Sequence, residues 1–166
     1  MDTGIVLFAF GMPNSIQSNR QIAKVGLKIA VELDAPIYTQ LDALSVEGNP
    51  RVEKTCYIAE IPGNPPPTLR IARGAVRWAR RKGLTKLWVV AARPHLPRIL
   101  RDMGWAIHEA GEKMSILVPN EIRQYPEDSW FCANSTQTHT QSRAMWVLRD
   151  SILRFMPFAL YRRIAS

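Results

Sequence analysis

Two uninterrupted apolar runs, "GIVLFAF" (Gly4 to Phe10) and, behind Lys86 in "KLWVVAA", Leu87 to Ala92, constrain this chain more than any other feature. A strand with one wet face alternates polar and apolar residues; a run without alternation marks a strand buried on both faces, as in a parallel sheet. Shorter strand signals follow the same logic at "PIYTQ" (36–40), "TCYIAEI" (55–61) and "SILVP" (115–119). Between them the period changes to that of a helix. Ile22, Val25, Ile29 and Leu33 form one stripe, and Leu69, Ala72, Val76 and Ala79 form another, with Arg70, Arg73, Arg77 and Arg81 on its wet side.

A short helix is expected at "PRILRDMGW" and a polar loop up to about Gln137. A final helix over about Thr140 to Ile164 is expected to turn Met145, Leu148, Ile152, Phe155 and Ala159 inward, with a kink or break at Pro157. Strands alternating with helices predict an α/β fold, a three-layer sandwich around a mainly parallel five-stranded sheet with a C-terminal helix. The prolines of "PGNPPP" make a rigid connector too short to separate domains, so residues 1–166 read as one domain.

Two cysteines, Cys56 and Cys132, are too few for a disulfide framework and have no metal spacing, which fits a reducing compartment. No signal-peptide pattern and no apolar run of spanning length is present, so the chain reads as cytoplasmic without a transmembrane segment. A net charge of +8 raises the question of nucleic acid. No aromatic-rich binding motif accompanies the charge, so the expected partner is instead a small anionic or nucleotide-like ligand. The stretch "LRFMPFALYRRIAS" also has the composition of a membrane-surface helix, against the plainer reading of a core helix.

In an open parallel sheet, ligands gather beyond the carboxyl ends of the strands. The first such turn carries Gly11, Met12, Pro13, Asn14 and Ser15. It has neither the three glycines of a dinucleotide fingerprint nor a Walker sequence. Asn14 and Ser15 could assist an anion at the helix start or simply cap the helix. Asp42 follows the second strand, and Glu60, near the end of the third, is a candidate base or ribose-hydroxyl ligand. The fourth turn, "AARPHLPRIL", delivers Arg93, His95 and Arg98. His95 and Arg98, three residues apart at a helix start, share a side; the arginine suits a phosphate, and the histidine could move a proton beside it. His108 and His139 have no partners at recognisable spacing, so no metal site is expected.

These residues together resemble the YdcF-like family of α/β domains, of SanA and ElyC type. "IVLFAFG" with Arg20, Glu60 followed by "PTLRIA" (67–72, with Thr68 at the helix start), the A-x-H-x-x-R turn of His95 and Arg98, and Asp150 with Tyr161 carry the likeness, over about residues 4–164. The family's glycine-rich first turn is reduced here to Gly11, and the asparagine of its third helix is Ile71. The resemblance implies a Rossmann-like fold with a pocket at the strand ends. The implied ligands are S-adenosylmethionine or a phosphorylated envelope precursor; the resemblance assigns no reaction, and the pairing of Arg98 with His95 suits a transferase or hydrolase acting at a phosphate-bearing substrate. Strand-end position and resemblance together give a candidate binding set of Gly11, Asn14, Arg20, Asp42, Thr68, Arg93 and Arg98 around His95 and Glu60, with Arg20 and Thr68 contributed by the resemblance. The departures open the alternative of a non-catalytic scaffold protein acting through a protein partner.

Overall fold

The computed structural model describes residues 2–60 and 66–165. Five strands, β1 (Thr3–Leu7), β2 (Ile37–Thr39), β3 (Thr55–Tyr57), β4 (Lys86–Val90) and β5 (Ser115–Leu117), form one sheet in the order β3-β2-β1-β4-β5. Every neighbouring pair is parallel, with Ile5 in register with Ile37 on one side and Trp88 on the other. The sheet is therefore wholly rather than mainly parallel. The third strand ends at Tyr57, short of the expected 61, and Ile61 and most of the proline connector lie outside the described residues.

The unbroken apolar runs have the expected cause. Ile5, Leu7, Ile37 and Val90 point to one face, where Ile22, Val25 and Ile29 of α1 (Gln17–Glu32) cover them. Val6, Phe8, Leu87 and Val89 point to the other, beneath α2 (Thr68–Arg81) and α3 (Leu96–Ala110). Strand side chains alternate in direction, so only a strand covered twice can afford no polar residue. α2 buries the predicted stripe of Leu69, Ala72, Val76 and Ala79, and α3 runs well past the short helix predicted. Beyond the sheet lie α4 (Glu121–Gln124), a short helix in a stretch predicted as loop, and the C-terminal pair α5 (Arg143–Phe155) and α6 (Phe158–Ala165). Pro157 separates that pair: α5 ends at Phe155, and the next residue, Met156, has the extended backbone favoured before a proline.

The inward face predicted for the last helix is corrected. Met145, Leu148, Ile152 and Phe155 are exposed, Leu148 at 70% and Phe155 at 82%, and Ala159 is exposed as well. The buried stripe lies one residue over and contains Trp146, Asp150, Tyr161 and Ala165. The reason is polar. Arg98 and Asp102 of α3 are themselves buried and require partners. Asp150 accepts from Arg98 Nε at 2.9 Å, and the Tyr161 hydroxyl donates to Asp102 Oδ2 at 2.5 Å. These bonds fix which side of the helices faces in, and the apolar stripe, about 100° around the axis, is turned out.

Candidate functional site

β1 and β4 lie side by side, but the helices that follow them go to opposite faces, α1 to one and α3 to the other. This divergence opens a crevice at the carboxyl ends of the strands, the topological switch point of an open α/β sheet. A cavity of about 240 Å³ occupies it. Phe10 and Gly11 after β1, Gln40 and Asp42 after β2, Thr68 of α2, and His95 and Arg98 after β4 line its floor and walls. His139 and Thr140, with Trp146 and Arg149 of α5 and Tyr161 of α6, close it from the C-terminal side.

The first turn is tied down by the protein's own side chains. The Ala9 amide donates to Gln40 Oε1 (3.0 Å), that of Phe10 to Asn19 Oδ1 (2.9 Å), and that of Met12 to Ser135 Oγ (3.2 Å). Those three amides are thus not directed at a ligand. Gly11 has φ +84°, and a Cβ there would stand 2.6 Å from Ser135 Oγ and 2.7 Å from Thr140 Oγ1. Only glycine lets the 135–140 segment approach so closely. Asn14 is exposed beside a separate shallow depression that it shares with Asp42. Neither Asn14 nor Ser15 caps α1, which begins behind Ile16 without a side-chain cap. Buried Ser18 and Asn19 organise the turn instead, donating to the carbonyls of Phe10 and of Gly11 and Pro13.

In the fourth turn, Arg93–His95 form a single 3-10 turn leading into α3, and the Leu96-Pro97 start suits the fixed φ of proline. His95 and Arg98 do project to the same side, and the Thr68 hydroxyl joins them. It lies 3.3 Å from His95 Nε2 and accepts from Arg98 Nη1 at 3.3 Å. The His95 ring is buried, edge-to-face with Trp146 at 5.1 Å between ring centres, and its Nδ1 has no partner among the described residues. Burial, followed by the charges of Arg98, His139 and Arg149, holds the His95 pKa well below 6.5, so the ring is neutral. It can offer one ring N–H and one lone pair at neutral pH, but not the second proton of an imidazolium.

Arg98 is less free than the spacing alone suggests. Its Nε is committed to Asp150, whose other oxygen pairs with Arg154 at 3.2 Å, and its guanidinium carbon lies 5.2 Å from the Trp146 ring centre. Around one buried carboxylate, then, stand two guanidinium groups, with Arg149 next in sequence. Burial, followed by the Arg149 and Arg98 charges, depresses the His139 pKa to about 4. Burial and Arg98 lower that of Arg149, with Asp150 opposing.

The cavity thus brings together Gly11, Asp42, Thr68, His95 and Arg98 of the expected set. Arg20 and Arg93 are exposed and do not line it. Glu60 does not line it either: Oε1 accepts from the Leu41 amide at 2.8 Å and so braces the loop that carries Asp42. Burial raises the Glu60 pKa, with the Leu41 amide opposing and the Asp42 charge adding. His139, Trp146 and Arg149 are lining residues that spacing did not indicate, because they arrive from the far end of the chain. Asp150 and Tyr161, noted above only through resemblance, hold the α5–α6 pair against α3. Among the described residues, no group of three His, Cys, Asp or Glu is placed to hold a metal ion. Compared with known proteins, the chain matches no family model, no curated protein and no solved structure.

Proposed function

We propose that the chain binds a small anionic ligand, phosphorylated or nucleotide-like, in the cavity at the β1–β4 switch point. One observation carries the reading: Arg98, Arg149, His95 and His139 line the cavity, and among the described residues Asp42 is the only acidic one lining it. Burial first, and then the neighbouring Arg98 and Arg149 charges, hold His95 and His139 neutral, so the positive charge of the wall is that of the two guanidinium groups, which a bound anion would complement. A volume of about 240 Å³ is below the roughly 300–1,000 Å³ of drug-sized pockets, which favours a compact phosphate-bearing group. S-adenosylmethionine suits this wall less well, because its sulfonium would face guanidinium groups. As an enzyme, the protein would be a transferase or hydrolase acting at phosphate, with neutral His95 accepting a proton from the attacking hydroxyl.

A second reading, a non-catalytic binding or scaffold protein, is favoured by the first turn, whose amides are satisfied internally. A thermal-shift panel separates the two. It would contain inorganic phosphate, nucleotides, sugar nucleotides, polyprenyl-phosphate analogues and S-adenosylmethionine, against wild type and Arg149→Gln. Arg149 is the residue to change because it lies at an exposed rim, whereas removing Arg98 would strand buried Asp150. A ligand at 100 times its dissociation constant adds about 2.7 kcal/mol. The expected result is a shift with a phosphorylated compound that shrinks in Arg149→Gln. No shift with any anion would favour the scaffold reading.

A further inference from the structure

We propose that the outer faces of α5 and α6 dock on an anionic lipid surface, lying in the headgroup layer. Met145, Leu148, Ile152 and Phe155 follow helical spacing along α5 and are 44%, 70%, 59% and 82% exposed. On α6, Leu160 is 50% exposed, and Ile164, one turn on and 53% exposed, stands at the rim where it also lines the cavity. A surface helix ordinarily turns such a stripe into the core, but here Trp146, Asp150 and Tyr161 occupy the inward side. Large apolar side chains left in water along two successive helices mark an interaction surface.

Charge selects the occupant. Arg162 and Arg163 are exposed on α6, Arg154 is exposed on α5 although it pairs with Asp150, and the single acidic residue of the two helices, Asp150, is buried against Arg98. A second copy of this chain would set arginines against arginines. Anionic headgroups complement them, while the apolar stripes enter the acyl boundary and the arginine stems extend toward the phosphates. No helix among the described residues is long and apolar enough to cross a membrane, so the contact is one of lying on the surface. This inference does not depend on the anion-binding reading. It has a bearing on it all the same, because the inner sides of these helices wall the cavity, setting it about one helix diameter (~10 Å) from the bilayer.

Flotation of the full chain with vesicles tests this. Vesicles of phosphatidylcholine alone are compared with vesicles containing phosphatidylglycerol, using wild type, Leu148→Ser/Phe155→Ser and Arg77→Gln/Arg81→Gln. The last pair removes exposed charge from α2, away from the proposed face. Wild type is expected to float only with the anionic vesicles, and the α2 variant to match it. The Leu148/Phe155 variant should partition about tenfold more weakly or worse, from the loss of two buried apolar groups, while keeping its thermal midpoint. Equal flotation of that variant would overturn the proposal in favour of non-specific charge attraction. So would no flotation of wild type, or a dimer seen by light scattering that the same variant dissolves.

Discussion

In the sheet, Ile5, Val6, Leu7 and Phe8 are all completely buried; on α5, Leu148, Ile152 and Phe155 are exposed while Asp150 is buried. The sheet follows hydrophobic burial residue by residue, because helices cover both of its faces. The C-terminal pair is positioned by hydrogen bonds from Arg98 to Asp150 and from Tyr161 to Asp102. Once α3 presents buried polar groups, leaving them unpaired costs more than exposing a leucine stripe. The difference shows that apolar periodicity identifies the inward face only where the surface it meets is apolar too.

The contrast can be broken most forcibly at Arg98. Replacing it with alanine leaves Asp150 with only its exposed pairing to Arg154, and a loss of about 3–5 kcal/mol is expected in urea unfolding. Leu7→Ala, in the fully buried centre of β1, is expected to cost about 2–5 kcal/mol in the same assay. Tyr161→Phe removes the donor to Asp102 and should cost about 1–3 kcal/mol. At the other end stands Leu148→Ser, one of the most apolar changes on α5. It should alter stability by less than about 0.5 kcal/mol, because its side chain is already in water. A loss from Leu148→Ser as large as that from Leu7→Ala would refute the orientation of α5.

Acid sharpens the same comparison. His95 and His139 have folded pKa values below the ordinary 6.5, His139 at about 4. Above 6.5 both states carry neutral imidazoles and these residues contribute no pH dependence. As pH falls from 6.5 toward 4, the unfolded chain takes up protons that the folded one does not, so stability drops. The thermal midpoint should fall over that interval, and His139→Gln should flatten part of the fall.

The α/β fold was legible because a strand covered on both faces has no polar alternation, and "GIVLFAF" and "KLWVVAA" have none. His95 and Arg98 were legible as a pair because a strand end followed by a helix start aims residues three apart at one place. The rest of the cavity was not, for a physical reason. Which strand ends face each other depends on the order β3-β2-β1-β4-β5, and no local pattern encodes strand order. Glu60 and Arg20 stand in suitable turns or helices, yet the cavity lies on the β1–β4 side and neither residue lines it. His139 and Arg149 reach it because α5 and the turn before it are held at the start of α3 by the bond from Arg98 to Asp150, a charge that periodicity assigns to the surface.

The most direct test of a cationic cavity is an NMR titration of the His95 and His139 rings, run with and without adenosine diphosphate or inorganic phosphate. An anion held between Arg98 and Arg149 favours the protonated imidazoles, so the His95 and His139 pKa values, both held below 6.5 in the free protein, should rise together. Saturating anion that leaves both unmoved would contradict the account.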